Sequence, residues 1–272
     1  GNQIHISEID FVVRGENELM ANPVPLEPTE AEMKIAEYIL EDIHDGCCIQ
    51  LGIGGLPNYL GKKIAEAGLR DLGVHTEMMA DAYYEMWKNG CISGAKKELD
   101  RKKMVCSFAL GSQELYEFMD HNPMIATYSV DYTNNPYVIA QLSNVISING
   151  CLEIDFYGQV ASEMQGPRQI TGTGGQWDFV LGAYHSPGGK SFLCTSSTYK
   201  DKSGQLQSKI KPFLTPGAAC TVSRQMTHYV VTEYGKALLK CQSIWKRTER
   251  LIEIAHPQFR DELIKEAEKL GF

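Results

Sequence analysis

Residues 47–79 read CCIQLGIGGLPNYLGKKIAEAGLRDLGVHTEMM, and their order decides the fold. An apolar run at 47–51 breaks into glycines, as a buried strand does at its end. The stretch 58–70 then has helical spacing, and 72–79 is apolar again. Strand, glycine turn, helix and strand in succession predict a parallel α/β sheet, whose ligands lie beyond the carboxyl ends of its strands. Glu77 falls where the second strand should end.

Working outward, TEAEMKIAEYILEDIHDG (29–46) sets Met33, Ile35, Ala36, Ile39, Leu40 and Ile43 at helical spacing and stops on Gly46. Further strands are predicted at 103–110, 144–150, 152–160, 191–196 and 228–235, and helices around 112–120, 135–142 and 243–256. The front differs. IHISEIDFVV (4–13) alternates like a strand, and the prolines of ANPVPLEPTE (21–30) should interrupt regular structure. The expected organisation is a leading strand and proline-rich linker over 1–28, then one α/β catalytic domain over 29–272, an open sheet flanked by helices.

With 272 residues, 43% hydrophobic and 22% charged, the chain can bury a large core. Its formal charge of −8 argues against a general nucleic-acid binder but not against an anionic small ligand held by local lysines and backbone amides. No apolar run is long enough to cross a bilayer. Eight cysteines show no disulfide framework, so they read as buried reduced thiols and predict a cytoplasmic protein. Gly1 stands where Met is expected and no signal peptide follows, so the start reads as a truncated or cleaved end.

Two glycine loops, LGIGGLPN (51–58) and TGTGGQWDF (171–179), carry the strongest chemical signal. Glycine lets a ligand approach backbone amides without a Cβ in the way, so each loop is a candidate anion cradle or oxyanion hole; each could also be only a tight turn. The first is GxGG, not the GxGxxG of a dinucleotide site, and lacks the Lys-Ser/Thr of a phosphate-binding P-loop. That pattern argues against a nucleotide triphosphatase. Among the acids, Glu77 and Glu153 both follow apolar strands, and periodicity alone does not choose between them. His75 reads as a structural residue or one that positions the loop, since a carboxylate nucleophile is ionised near neutrality and needs no base. The run AKKELDRKK (95–103) reads as a solvated face.

Seven separated segments, in order, resemble the carboxyl-terminal domain of the acetyl-CoA hydrolase/transferase family, especially its butyryl-CoA:acetate and 4-hydroxybutyrate CoA-transferases. They are LGIGGLPN, LGVHTEMMAD, NPMI with VDYTNNP, LEIDFYGQV, GTGGQWDF, HYVVTEYG and IAHPQFRDEL. The likeness runs from about residue 3 to the end and implies the CoA-transferase superfold. It also implies Glu77 as the catalytic residue, a CoA-contacting loop at Gly52, Ile53, Gly54, Gly55 and Leu56, and further contacts at Leu152, Gly174 and Gly175. The implied reaction moves CoA between a short acyl-CoA and a carboxylic acid through a glutamyl-CoA thioester. Coenzyme A is then a substrate, and neither a metal nor a tightly bound cofactor is required.

The family builds its cleft from two related α/β halves, so the resemblance implies an amino-terminal half as partner, and a homo-oligomer is expected. Tyr83, Tyr84 and Trp177 depart from the family pattern and would add bulk near the acyl pocket. An acetyl-CoA hydrolase of the same family, a sugar-phosphate isomerase of the related superfold and a non-catalytic CoA-binding fragment stay open as alternatives.

Overall fold

The computed structural model describes residues 3–16, 27–52 and 54–272. Its centre is an eight-stranded sheet built from β1 (Cys48–Leu51), β2 (Gly73–His75), β3 (Met104–Cys106), β4 (Ile125–Thr127), β5 (Val145–Gly150), β6 (Lys190–Cys194), β7 (Tyr229–Thr232) and β8 (Gly235–Leu238). The spatial order is β8-β7-β6-β5-β1-β2-β3-β4. Every neighbouring pair is parallel except the β7–β8 hairpin at one edge. Chain order therefore reverses between β1 and β5, and the connections leaving these two strands diverge. That divergence opens a crevice at their carboxyl ends.

The central strands are buried on both faces, which is why they read as unbroken apolar runs. Successive residues still go to opposite sides: Ile49 and Leu51 join one core with Val74, Ile148 and Phe192, while Cys48 joins another with Ile139 and Phe179. The first core is closed by α1 (Glu30–Leu40), α2 (Gly55–Glu66), α3 (Asp81–Lys88) and α4 (Gln113–Met119). On the other side lie α5 (Val130–Thr133), α6 (Pro136–Ile139) and α7 (Gln176–His185). A third core gathers α8 (Ile244–Glu253) and α9 (Pro257–Lys269) around a small sheet in which Glu153–Asp155 pairs with Val160–Ala161 and Ile210–Lys211.

Several expectations need correction. Residues 3–16 form no strand; they are exposed throughout and contain one 3-10 turn, Ile6–Glu8. Alternation makes a strand only where an edge offers hydrogen bonds and a surface buries one face, and Phe11, Val12 and Val13 find neither, at 89%, 77% and 89% exposure. Residues 17–26, which hold most of the proline-rich linker, lie outside the described residues. The segment 152–160 is a hairpin rather than one strand, because Gly158 turns it at φ 88°. The basic run 95–103 is not wholly a solvated face: Lys97 is buried and its ammonium donates to the Val74 and Lys103 carbonyls. All eight cysteines are free, but Cys220 and Cys241 are exposed. No described helix is long and apolar enough to cross a membrane.

Candidate active site

Two residues beyond β2, the backbone of Glu77 is clamped against the neighbouring strand. Its carbonyl accepts from Ser107 N–H (2.8 Å) and Phe108 N–H (3.2 Å), and Met78–Met79 pairs in parallel with Phe108–Ala109. Met79 is fully buried in the main core, so the second methionine after Glu77 anchors its backbone, while Met78 is half-buried. The half-buried carboxylate turns to the GTGG loop, where Gly175 N–H donates to Oε2 at 2.9 Å. Gly175 is the N-cap of α7, so the carboxylate sits at the positive end of a helix.

The contact explains why position 175 is glycine. A Cβ there would lie 2.6 Å from Glu77 Oε2 and 2.5 Å from Asn134 Nδ2. At Gly174 the nearest atom to a Cβ is the same oxygen at 3.8 Å, an ordinary contact. Glu77, Gly174 and Gly175 line a cavity of about 280 Å³ with Asn149, Ser162 and Glu163. Asp178, in the first turn of α7, has its carboxyl pushed up by burial and then by the charge of Glu77.

His75 does not line this cavity. It is buried, its Nε2 donates to the Thr133 carbonyl at 2.8 Å, and burial, reinforced by the Lys97 charge, pushes its pKa down to about 4. It is therefore neutral at physiological pH. Glu153, the rival acid, is equally removed: its carboxylate accepts from Lys211 Nζ (2.5 Å), Thr215 N–H (2.7 Å) and Thr215 Oγ1 (2.8 Å). Both oxygens are committed to holding the small sheet against the 211–215 turn.

The first glycine loop lies at the switch point between β1 and β5. Gly52 and Leu56 line a second cavity, of about 330 Å³, with Thr195, Ser196 and Lys209. Gly54 has φ 122°, which only glycine adopts without strain, and Gly55 opens α2 with its Cβ position 3.1 Å from a Glu32 carboxylate oxygen. Helix α2 begins at Gly55, before the asparagine expected to open it, because Pro57 stands in the first turn where a missing N–H costs nothing. Ile53 lies outside the described residues. The two loops thus face adjacent cavities, which share Asn149 and Gly150 as a common wall.

Leu152 lines neither cavity; its N–H is bonded to the Ala161 carbonyl. Tyr83 is a core residue whose hydroxyl accepts from Leu51 N–H at 2.6 Å, Tyr84 packs on Phe118, and Trp177 is 44% exposed, so none of the three narrows either cavity. Sequence reasoning missed Asn149, Asn134 and Lys209. Asn149 had a usable signal, a polar residue in the last turn of a predicted strand. Lys209 had none, since its position depends on the loop between β6 and β7. Among the described residues no cluster of His, Cys, Asp and Glu could hold a metal ion.

A carboxylate two residues past a strand, accepting from a helix N-terminal amide inside a cavity, can attack a carbonyl while that amide stabilises charge on an oxygen. The family model of the acetyl-CoA hydrolase/transferase C-terminal domain matches residues 111–267. A probable butyrate:acetyl-CoA coenzyme A-transferase of Syntrophomonas wolfei is 55% identical over 100% of this chain and 61% of its own length. The butyryl-CoA:acetate CoA-transferase of Anaerostipes caccae is 48% identical over 98% of this chain and 60% of its own. Among solved structures, a 4-hydroxybutyrate CoA-transferase of Porphyromonas gingivalis superimposes with a TM-score of 0.81 at 38% identity, over 98% of this chain and 62% of that one. The chain spans about six-tenths of the length of these relatives.

Proposed function

We propose, from the premise that this chain belongs to the acetyl-CoA hydrolase/transferase family, that Glu77 is the nucleophile of a cytoplasmic CoA-transferase. The enzyme moves CoA between a short-chain acyl-CoA (acetyl, butyryl or 4-hydroxybutyryl) and a carboxylate such as acetate. A Glu77 oxygen attacks the thioester carbonyl and CoA leaves as thiolate, giving a mixed anhydride. The thiolate then attacks the glutamyl carbonyl, expels the first acid as its carboxylate and leaves glutamyl-CoA. The acceptor carboxylate attacks this thioester to form a second anhydride and release thiolate. Attack of the thiolate on the acyl carbonyl yields the new acyl-CoA and restores Glu77. Charge is conserved without a proton acceptor, which agrees with a neutral His75 that is bonded to the Thr133 carbonyl and does not line the cavity.

One observation carries this reading, the 2.9 Å donation from Gly175 N–H to Glu77 Oε2. The amide that orients the carboxylate in the free protein is in reach of the oxyanion at the glutamyl carbon, a contribution of about 3–4 kcal/mol per donor. The test is mass spectrometry of the natural full-length protein after acyl-CoA and then borohydride. Reduction or labelling confined to the peptide holding Glu77 is expected, with loss of transfer in Glu77→Gln. Label on Glu153 instead would sink the assignment. Rates with and without acetate separate transfer from hydrolysis, because a hydrolase would not need the acid.

A further inference from the structure

The switch-point cavity contains a lysine that the chemistry at Glu77 does not use. Lys209 is half-buried, and its ammonium donates to Thr195 Oγ1 (3.1 Å) and Ser196 Oγ (3.0 Å), both in the cavity wall. Its backbone is fixed by donation to the Ser197 carbonyl at 2.9 Å. Other partly buried lysines have anionic or carbonyl partners: Lys190 and Lys236 pair with Asp42, Lys211 with Glu153, and Lys97 with two carbonyls. Among the described residues no carboxylate pairs with Lys209. Its charged neighbour Glu233 is occupied by Ser197 N–H (2.8 Å) and Oγ (2.6 Å), and Glu32, on the α1 wall, by Thr29 N–H (2.8 Å) and Oγ1 (2.9 Å). Burial pulls the Lys209 pKa down, and the more distant Glu233 charge offsets this only in part.

The geometry points to Lys209, with Thr195 and Ser196, as an oxyanion-binding site that seats one end of the substrate while the other end reaches Glu77. Two of its three N–H donors are held by hydroxyls, which aim the ammonium and leave one donor for the cavity. The first turn of α2, the positive end of that helix, closes the same space through Leu56 and Pro57, beside the Glu32 carboxylate that packs against Gly55. The remaining wall includes Ile35, Ile148, Cys151 and Cys194, which screen the Lys209 ammonium poorly, and the Glu32 carboxylate on the α1 side, which confines a bound anion to the Lys209 side. Because Asn149 and Gly150 border both cavities, a flexible ligand can occupy the two at once. Asn149 is itself held in place: its side chain exchanges hydrogen bonds with Gln50 (3.2 and 3.1 Å) and donates to Ser147 Oγ (3.0 Å).

The inference rests on the CoA-transferase reading for its two sources of oxyanion, a phosphate of CoA or the carboxylate of an acid substrate. The experiment measures binding by calorimetry in the natural full-length protein carrying Glu77→Gln, so that no turnover intrudes. Lys209→Met is compared with Lys209→Arg, using CoA, pantetheine and butyrate as probes. Loss of one charged hydrogen bond should weaken the anionic probe by about tenfold or more, with Lys209→Arg retaining most of the affinity. Weakened CoA with unchanged pantetheine assigns a phosphate; weakened butyrate with unchanged CoA assigns a carboxylate. If all three probes bind Lys209→Met within about twofold of the parent, the site is refuted. Should Lys209→Met fail to fold, the double variant Thr195→Val, Ser196→Ala gives the same readout, and unchanged binding there refutes it as well. Failure of the CoA-transferase reading shows separately, as residual transfer in Glu77→Gln.

Discussion

At the scale of single residues, two glycines that look alike in GTGG have different duties. Gly175→Ala would set a Cβ 2.6 Å from Glu77 Oε2, so the carboxylate must leave the amide, and turnover should fall by about two orders of magnitude, the range for losing one oxyanion donor. Gly174→Ala meets only a 3.8 Å contact and should stay within a few-fold of the parent. Steady-state rates of the two variants, normalised to folded protein, decide the point; equal losses would mean that the loop acts as a unit. The two acids should separate along another axis. Glu77→Gln is expected to abolish transfer with its melting point kept, whereas Glu153→Ala strands the Lys211 ammonium beside a buried cavity and should cost about 3 kcal/mol of stability, read by denaturant unfolding. The choice of Glu77 over Glu153 came from motif resemblance, since both acids follow apolar strands. What distinguishes them physically is partner saturation, and the partners of Glu153 are 58 and 62 residues away.

At the scale of elements, the parallel sheet and its flanking helices were legible because both signals are local. Buried strands are apolar without interruption and α1 is amphipathic with a capping box, Thr29 and Glu32 each bonding the other's backbone. Thr29→Ala should lower stability by about 1 kcal/mol. It should also remove one of the two Thr29 bonds to Glu32 Oε2, the hydroxyl's, and so loosen a carboxylate that already lines the switch-point cavity. A weaker affinity for CoA, measured beside the thermal shift, would reveal the less restrained carboxylate. The leading segment was misread for the converse reason: alternation is local, but the edge that would turn it into a strand is not. Helix α7 went unpredicted because its apolar residues, Phe179, Val180, Gly182 and Ala183, mark only a weak face in a short apolar run, so periodicity could not tell helix from buried strand. It is nevertheless the element that delivers the Gly175 amide to Glu77.

At the scale of the whole molecule, two buried histidines tie folding to pH. Burial pushes both His75 and His228 down to about 4, from an ordinary value of 6.5, and nearby lysines add to the effect. Both stay neutral in the fold until well after the unfolded chain has begun to take up protons. Stability is therefore unaffected by these groups above about pH 6.5, and falls as pH drops from there towards 4. Urea unfolding at a series of pH values should show that slope, and His75→Gln should reduce it to the share of His228; a flat profile in the parent would mean that the two rings are solvated. A larger dependence concerns the cleft. Both cavities open on the carboxyl-end side of the sheet, while the relatives carry roughly a further four-tenths of their length outside the aligned region. If that portion supplies the opposite wall, the 272-residue chain expressed alone leaves Glu77 solvated and its thioester poorly oriented, losses that effective-molarity arguments put at several orders of magnitude. The exposed apolar side chains of Ile4, Ile6, Phe11, Val12 and Val13 should favour self-association of the chain expressed alone. The expected outcome is a cooperatively folded, aggregation-prone chain with little transfer, restored by fusion to the amino-terminal portion of a relative. Full transfer by the chain alone, unchanged by the fusion, would show that the GTGG loop and α7 already complete the site.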